Sequence, residues 1–329
     1  MKDKEEYLKR LRNAFFAVAA LLLLSAIGAS AYNTGRMLNK VSIEPDPILQ
    51  TRPLKLEQSN ALSVTETSER SSRSATINIL LIGQDRRPGQ KKRARSDAMI
   101  LCTVNQSTKT VTLTSFMRDM YVQIPGKKSN RINAAYALGG TNLLNRCIDH
   151  NFGVTVDGNV VVDFAAFMDA IDLAGGVDVE LTAKEAAYLN SVTYKDQQHW
   201  ETGLEEGVNH LDGNRALAYA RIRKLSGNDF GRTQRQRKVL SALFEKISKL
   251  TLPEIYRLFK GLSEQISTDM TKGQLIGYAM ELLPDIKNFQ IETQQIPAAG
   301  TYRSATIDGM QVLVPDLEKN AEILSKIVS

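Results

Sequence analysis

The chain has 329 residues, of which 43% are hydrophobic, and it carries a formal net charge of +6. This length suffices for one large domain or two of ordinary size, and the hydrophobic share favours a folded protein with a substantial core. The excess of basic over acidic residues indicates an anionic partner or surface. Nucleic acid, anionic lipid and phosphorylated glycan are all candidates. Cys102 and Cys147 are too few for a disulfide framework, so buried free thiols are predicted, with a single disulfide as the alternative.

The N-terminal residues predict the compartment. Residues 1–13 are polar and basic, and residues Ala14 to Tyr32 then run for nineteen positions without a charge. That length is about enough for a helix to cross a bilayer. Basic residues directly before the run (Lys9, Arg10 and Arg12) predict a cytoplasmic N-terminus and an extracytoplasmic remainder in the cell membrane. Ala29-Ser30-Ala31 resembles a cleavage site, so a cleaved signal peptide is the alternative.

A polar segment separates this predicted anchor from the folded part. Residues 33–75 are rich in Ser, Thr, Glu and Pro and show no sustained periodicity, which is typical of a linker. The folded domain is predicted to comprise residues 76–329. No internal repeat or composition change divides it further.

Short apolar runs and helical patterns alternate along this domain. Strands are predicted at INILLIG, DAMILCTVN, KTVTLTSF, YVQIP, VVVDF, VDVEL, FQIETQQIP and MQVLV, with the second and third forming a hairpin. Helices are predicted at 133–151, 164–174, 182–191, 212–220, 232–250, 253–265, 272–283 and from 315 onward. Thr182 and Glu185 form a predicted capping box, whereas residues 192–210 fit no element. The alternation indicates an α/β domain with a mixed central sheet and helices on its faces.

Charged residues follow or precede three of the predicted strands. Asp85 follows the first, Arg95 and Asp97 precede the second, and Arg118 and Asp119 follow the third. Groups at strand ends can share one rim of a sheet. One or two carboxylates with water and phosphate oxygens suit Mg²⁺, so Asp85 and Asp97 are candidate metal ligands. The alternative is that both are ordinary loop-end or capping residues.

A second basic run lies between residues 221 and 237. Its arginines are Arg221, Arg223, Arg232, Arg235 and Arg237. Arg232 and Gln236 share a helix face, and a helix N-terminus favours phosphate through its free N–H groups. Guanidinium groups bind phosphate oxygens in pairs, and these arginines alternate with apolar residues. A phosphate site is therefore predicted, with a solvated basic face as the alternative.

Several familiar sites are absent from the sequence. There is no GxxxxGK[ST] loop, no HExxH and no paired CxxC, and the three histidines are scattered. Neither a helix-turn-helix nor a base-stacking motif is present, so nucleic acid is not expected as a partner.

Ordered blocks of this sequence resemble the LytR–CpsA–Psr family. They are NILLIGQDRR, RARSDAMIL, SFMRDMYVQIP, INAAYALGG, VVVDFAAFMDAIDLAGGVDVEL and HLDGNRALAYARIRKLSGNDFGRTQRQRKVL, and the likeness runs from about Ile77 to Ile247. The resemblance implies an α/β/α domain with a long apolar pocket for lipid. It also implies an extracytoplasmic phosphotransferase that moves a glycopolymer, such as wall teichoic acid or capsule, from a polyprenyl-pyrophosphate carrier to a peptidoglycan hydroxyl.

The resemblance assigns roles to individual residues. Asp85 and Asp97 match the family's magnesium ligands, and Asp229 matches an acidic position in the NDFGR block. The residues implied to surround the pyrophosphate are Arg95, Arg118, Arg221, Arg223, Arg232 and Gln236, and Arg118, Arg221 and Asp229 are the expected catalytic residues. Two other functions fit the same residues: a non-catalytic, membrane-tethered module that binds polyprenyl phosphate or anionic glycan, and a pyrophosphate hydrolase.

Overall fold

A computed structural model describes residues 42–43, 76–84, 96–191, 203–225, 228–262 and 265–329. The predicted cytoplasmic tail, the predicted span from Ala14 to Tyr32, most of the predicted linker, and the site candidates Asp85 and Arg95 lie outside these ranges. No helix within the described ranges is long and apolar enough to span a membrane. The described residues from Ile43 onward belong to one compact unit.

The described elements alternate between strands and helices. The strands are β1 (Ser42–Ile43), β2 (Thr76–Gln84), β3 (Ser96–Asn105), β4 (Thr110–Phe116), β5 (Tyr121–Val122), β6 (Asn130–Arg131), β7 (Gly158–Val162), β8 (Val177–Leu181), β9 (Gly207–Leu211), β10 (Ser267–Thr268), β11 (Gln290–Ile296), β12 (Tyr302–Ile307) and β13 (Met310–Pro315). The helices are α1 (Asn133–Phe152), α2 (Phe164–Leu173), α3 (Ala183–Ser191), α4 (Gly213–Ala220), α5 (Asn228–Lys249), α6 (Leu252–Leu262), α7 (Lys272–Leu282) and α8 (Leu317–Val328), with a 3-10 helix at Leu283–Asn288.

The central sheet is mixed, as the sequence predicts. Within residues 76–329 its strand order is β10-β7-β2-β3-β4-β11. The pairs β2–β7 and β4–β11 are parallel, whereas β2–β3, β3–β4 and β7–β10 are antiparallel. The predicted hairpin is confirmed by the pairing of Asn105 with Thr110 at the β3–β4 turn.

Alternation along β2 sends apolar side chains to both faces of this sheet. Leu80 and Ile82 join a core that includes α1 and Leu324 of α8. Ile77 joins a core on the other face, against which Leu240 of α5, Tyr278 of α7 and other half-buried side chains pack. Helices therefore cover both faces of the sheet, which gives the domain its α/β/α layering.

A separate apolar cluster holds α2 to α5 against the β8–β9 ribbon. Its buried members include Ile171, Leu181, Tyr219 and Val239. Helices α2 and α4 pack closely at Gly213, where a Cβ atom would lie 2.4 Å from the carbonyl oxygen of Met168. This close packing fixes the start of α4, and the second basic run begins at Arg221, directly after the helix ends.

Most predicted elements are present, and the differences have local causes. The Thr182–Glu185 capping box is confirmed, since Glu185 N donates to Thr182 Oγ1 at 3.3 Å and Thr182 N donates to Glu185 Oε2 at 3.1 Å. Strands β9 and β12 were not predicted, because their sequences, GVNHL and YRSATI, are polar and largely solvent-accessible. Helix α5 begins at Asn228, four residues before the predicted start, and so includes Asp229.

The two cysteines are free thiols, as predicted. Cys102 packs against the core on the α5 face of the sheet, and Cys147 belongs to the core on the α1 face. Because the sheet separates them, the alternative of a disulfide between them is excluded. Burial raises the pKa of each thiol to about 12, so both stay protonated at neutral pH.

Candidate functional site

Arg118 lies just past the end of β4 and joins two carboxylates from other elements. Its Nη1 donates to Asp97 Oδ1 at 2.8 Å, and its Nε donates to Asp229 Oδ2 at 3.0 Å. Asp97 lies at the start of β3, and Asp229 lies in the first turn of α5. The structure therefore brings together a carboxylate from β3, a guanidinium from β4 and a carboxylate from α5, as the shared-rim argument predicts for Asp97 and Arg118.

Arg232 is the most buried charged side chain of this cluster. Its side chain is only 2% exposed, and its Nη2 donates to Asp229 Oδ2 at 2.9 Å. Its Nε and Nη1 atoms are also buried, and neither has a hydrogen-bond partner within the described ranges. A buried guanidinium N–H without an acceptor is costly, so these two donors are suited to an anion that supplies several oxygens.

The pKa values of Arg118 and Arg232 are shifted in opposite directions. Burial lowers the pKa of Arg232 to about 10, and the positive charges of Arg118 and Arg223 add to this effect against Asp229 and Asp97. Burial also acts to lower the pKa of Arg118, but Asp229, Asp119 and Asp97 outweigh it and raise that pKa. Both guanidinium groups are cationic at neutral pH. A bound anion would stabilise the charge of Arg232 more than that of Arg118, because Arg118 already has carboxylate partners that outweigh its burial.

The remaining predicted residues occupy different positions. Arg223 is exposed and close enough to act on Arg232. Gln236 lies one turn after Arg232, and its buried Oε1 has no hydrogen-bond partner among the described residues. Arg221 follows α4 and stacks on Phe164, with its guanidinium carbon 4.6 Å from the ring centroid. Asp85 and Arg95 lie outside the described ranges.

Two ion pairs extend the cluster toward the C-terminal hairpin. Asp119 Oδ2 lies 3.6 Å from Arg118 Nε, and its Oδ1 lies 3.3 Å from Arg131 Nε. Arg131 also donates from Nη2 to the carbonyl oxygen of Gln311 at 2.7 Å. Sequence reasoning missed Arg131, because nothing but its charge distinguishes it before the fold brings β6 beside β5.

Arg235 and Arg237 form no ion pair or hydrogen bond with the described residues of this cluster, although they belong to the same basic run. Arg235 Nε donates to Glu185 Oε1 at 2.7 Å, and both side chains are buried. Arg237 is also buried, burial lowers its pKa, and its Nη1 has no partner in the described part of the chain. Successive helical residues are rotated by about 100°, so a run of arginines on α5 must diverge.

Replacing Glu185 with glutamine is expected to destabilise the domain by about 3 kcal/mol, because Arg235 loses its buried counter-ion. Burial acts to raise the pKa of Glu185, but hydrogen bonds from Thr182 and Arg235 outweigh it and lower that pKa. The native pair therefore stabilises the fold fully above the unfolded pKa of Glu185 and loses this contribution as the pH falls through the lower folded pKa.

Urea unfolding of the wild type and Glu185→Gln between pH 3 and pH 7 measures this effect. The free-energy gap between the two proteins should shrink at the acid end. Glu245→Gln, at an exposed position on α5, the helix that carries Arg235, should change stability by less than about 0.5 kcal/mol. A gap independent of pH would show that the charge of Glu185 is not what stabilises the fold.

The fit of the cluster to Mg²⁺ rests on Asp97. Among the described residues no group of three or more His, Cys, Asp or Glu side chains could hold a metal ion. Mg²⁺ does not need such a group, since one or two carboxylates with water and substrate phosphate complete its octahedron. Asp97 is about one-third exposed, and its Oδ1 accepts from Arg118, so the residues present fit a substrate-completed magnesium site.

The described cluster is suited to binding an oxyanion. Three carboxylates hold Arg118 and Arg131 in fixed positions before any ligand arrives. Arg232 offers unused buried donors, and the first turn of α5 adds a partial positive charge. Such preorganised donors stabilise charge on a phosphate without rearranging during the reaction.

Comparisons with known proteins give this arrangement a family context. The model of the LytR_cpsA_psr family matches residues 48–327. The chain is 32% identical over 272 residues to the polyisoprenyl-teichoic acid--peptidoglycan teichoic acid transferase TagU of Bacillus anthracis (strain CDC 684 / NRRL 3495), covering 82% of each chain. It is 29% identical over 307 residues to the corresponding transferase TagT of Bacillus subtilis (strain 168), covering 92% of this chain and 91% of TagT.

Two solved structures of related proteins have the same fold as this chain. A structure of TagT bound to LI-WTA superposes with a TM-score of 0.62 at 28% identity, covering 77% of this chain and 90% of that one. The structure of the LytR-CPS2A-psr family protein YwtF (TagT) with bound octaprenyl pyrophosphate lipid gives a TM-score of 0.58 at 28% identity, over 77% and 90% of the two chains. The chain therefore belongs to the LytR–CpsA–Psr family.

Proposed function

We propose that this protein is a phosphotransferase that moves a glycopolymer from a polyprenyl-pyrophosphate carrier onto a peptidoglycan hydroxyl. The observation that carries the proposal is the cluster of Arg118, Arg232, Asp97 and Asp229, with buried guanidinium donors that have no acceptor within the described ranges. The names of TagU and TagT, teichoic acid transferases acting on peptidoglycan, support teichoic acid as the polymer. The lipid in the TagT structure supports the pyrophosphate carrier.

The reaction exchanges one bond to phosphorus for another. An oxygen of the acceptor hydroxyl forms a bond to the glycan-linked phosphorus. The bond from that phosphorus to the bridging oxygen breaks, and polyprenyl phosphate leaves with the electron pair. Negative charge collects on the leaving phosphate and on the peripheral oxygens, so positioned cations are the main catalytic requirement.

The arginines of the cluster supply those cations. Arg232 donates its free buried N–H groups to the transferred phosphate, and Arg118 remains fixed by Asp97 and Asp229 beside it. Arg223, exposed near Arg232, reaches the outer oxygens of the pyrophosphate. Asp119 is held between Arg118 and Arg131, both of which lie within ion-pair distance of its carboxylate. The acceptor hydroxyl gives up its proton late, to the departing polyprenyl phosphate, as a loose phosphoryl-transfer transition state allows.

Asp97 and Asp85 are proposed as magnesium ligands. When bound there, Mg²⁺ supplies charge neutralisation at the phosphate oxygens. Asp97 keeps its hydrogen bond to Arg118 through Oδ1, so the same carboxylate orients the arginine.

The polyprenyl tail is proposed to lie along the α5 face of the sheet. Leu240 and Phe244 of α5, together with Ile79 and Leu81 of β2, are only partly buried there. At about 1.5 Å per residue, Leu240 lies roughly 12 Å beyond Arg232 along the helix axis. One helix thus runs from a phosphate-binding end to an apolar end, in the order that a lipid pyrophosphate requires.

A membrane anchor completes the proposal. The uncharged run from Ala14 to Tyr32 would span the cell membrane with the N-terminus cytoplasmic, and residues 33–75 would connect it to the extracytoplasmic domain. Protease added outside intact cells should then cleave the linker and release a fragment that contains residues 76–329. Protection of that domain would contradict the topology.

The activity is tested with the purified full-length chain, a lipid-pyrophosphate glycan, peptidoglycan fragments and Mg²⁺. Mass spectrometry should detect glycan joined to peptidoglycan by a phosphodiester, in an amount that falls with a chelator. Lipid binding without joined product would leave the non-catalytic binding module as the function. Release of free phosphorylated glycan in the absence of acceptor would instead identify a hydrolase.

A further inference from the structure

A second flank of α5 borders a cavity of about 290 Å³ that the proposed reaction does not use. The first turn of α3 and the end of α4 form its other walls. Three of its lining side chains are buried, namely Glu185, Tyr219 and Arg235, and two exposed lysines, Lys184 and Lys238, line it as well. The cavity therefore combines a buried polar floor with a cationic rim.

The hydroxyl of Tyr219 indicates that this cavity receives a polar ligand. Tyr219 is fully buried, and its Oη has no partner at hydrogen-bonding distance and angle within the described ranges, although the Glu185 carboxylate is close enough to interact with it. Buried tyrosine hydroxyls nearly always have such a partner. Burial, the neighbouring charge of Glu185 and a hydrogen-bond interaction with that carboxylate raise the pKa of Tyr219, so the hydroxyl keeps its proton and can donate to an acceptor.

The charges of the lining indicate that the ligand is anionic. Arg235 and Glu185 form an ion pair at 2.7 Å, so the floor is electrically neutral. Lys238 Nζ donates to the carbonyl oxygen of Glu180 at 3.3 Å, which leaves its charge uncompensated. Lys184 adds a second ammonium group, and no other carboxylate lines the cavity within the described part of the chain.

The cavity also lies next to the proposed phosphate site. Gly231 lines the cavity, and the following residue, Arg232, belongs to the arginine cluster. The two sites therefore share the first turns of α5 while facing different sides of it.

We propose that this cavity is a second binding site, which takes an oxyanion carried on a sugar or polyol chain. Lys184 and Lys238 pair with the oxyanion, the Tyr219 hydroxyl donates to it or to its chain, and Leu225 contacts the chain's carbon skeleton. Its role rests on the proposed function, because a transferase offers two such chains. They are the phosphodiesters of the donor polymer and the carboxylates of the peptide-bearing acceptor.

Two variants of the full-length chain in detergent test the site. Lys184→Ala/Lys238→Ala removes the rim charges, and Tyr219→Phe removes the buried hydroxyl. Titration calorimetry at low salt measures binding of a soluble polyol-phosphate oligomer and, separately, of a disaccharide–peptide fragment. The probe whose binding is weakened in the variants shows whether the oxyanion comes from the donor polymer or from the peptide-bearing acceptor. Lys246→Ala/Lys249→Ala, two lysines at the far end of the same helix, is the matched control.

We expect the double variant to weaken one of the two probes about tenfold and Tyr219→Phe to weaken it about threefold. Because the hydroxyl has no partner at hydrogen-bonding geometry in the described fold and interacts with Glu185 only outside that geometry, Tyr219→Phe should keep the wild-type Tm. Unchanged binding of both probes in both variants would overturn the site. A lower Tm for Tyr219→Phe would show that the hydroxyl supports the fold, which overturns its assignment to the ligand.

The test of the second binding site can fail or succeed independently of the transferase proposal. With a minimal donor that lacks polymer phosphates and a minimal acceptor that lacks the peptide, both variants should transfer as fast as the wild type. If the wild type joins no glycan but the binding losses appear, the transferase proposal fails and the anion site stands. If the wild type joins glycan and the variants bind both probes normally, only the second site fails.

Discussion

Replacing Arg118 with alanine should lower kcat/KM for glycopolymer transfer by roughly a thousandfold. Arg118 is the residue that joins Asp97 to Asp229, so its loss removes a cation beside the transferred phosphate. It also leaves two carboxylates without their shared partner, and their repulsion opposes the approach of a phosphate. The rate of phosphodiester formation and the KM for the lipid donor measure the two effects separately.

The controls separate charge from position. Arg118→Lys keeps a positive charge but loses the planar fork that contacts two carboxylates at once, so it should restore only a small part of the activity. Arg257→Ala removes an exposed arginine from α6 and should leave turnover unchanged. If folded Arg118→Ala transfers glycan as fast as the wild type, Arg118 is not part of the site.

The strands of the central sheet could be predicted because each has a strong local signal. In β2, apolar residues such as Leu80 and Leu81 occupy successive positions, as expected of a strand covered on both faces. Strands β9 and β12 lack that signal, since each pairs in a two-stranded sheet with much of its surface in solvent. Their existence depends on hairpin partners that local sequence does not reveal.

The site was predictable where strand ends and helix starts define it. Asp97 and Arg118 flank adjacent antiparallel strands, so their proximity follows from the hairpin itself. Arg235 shows the limit of this reasoning. Whether an arginine on α5 faces the site depends on helix phase and on distant partners, and Glu185, fifty residues away, holds Arg235 on another flank.

The different faces of helix α5 therefore contact different parts of the protein. Asp229 and Arg232 face the phosphate cluster, Leu240 and Phe244 pack toward the sheet, and Arg235 lies over the cavity beside α3. A sequence window of basic and apolar residues cannot separate these faces by composition. The separation arises because about 3.6 residues per turn distribute neighbours around the axis.

Arg232→Met should lower the activity without lowering the stability. Methionine fills a similar unbranched volume but carries no donors, so the variant loses the buried N–H groups that lack acceptors. Removing them should leave the free energy of unfolding unchanged or raise it by about 1 kcal/mol, since Asp229 keeps its bond to Arg118. Turnover should fall by at least about a hundredfold, because those donors stabilise the transferred phosphate.

Thermal unfolding with and without a polyprenyl-pyrophosphate ligand distinguishes this reading from a structural role. The wild type should gain Tm with ligand, as any protein does that binds a ligand only when folded. Arg232→Met should begin at an equal or higher Tm and gain less, because its site lacks the donors that the pyrophosphate uses. A lower Tm without ligand, combined with an undiminished ligand effect, would make Arg232 a structural residue. An ion pair kept buried at the expense of stability is expected only where a ligand completes it.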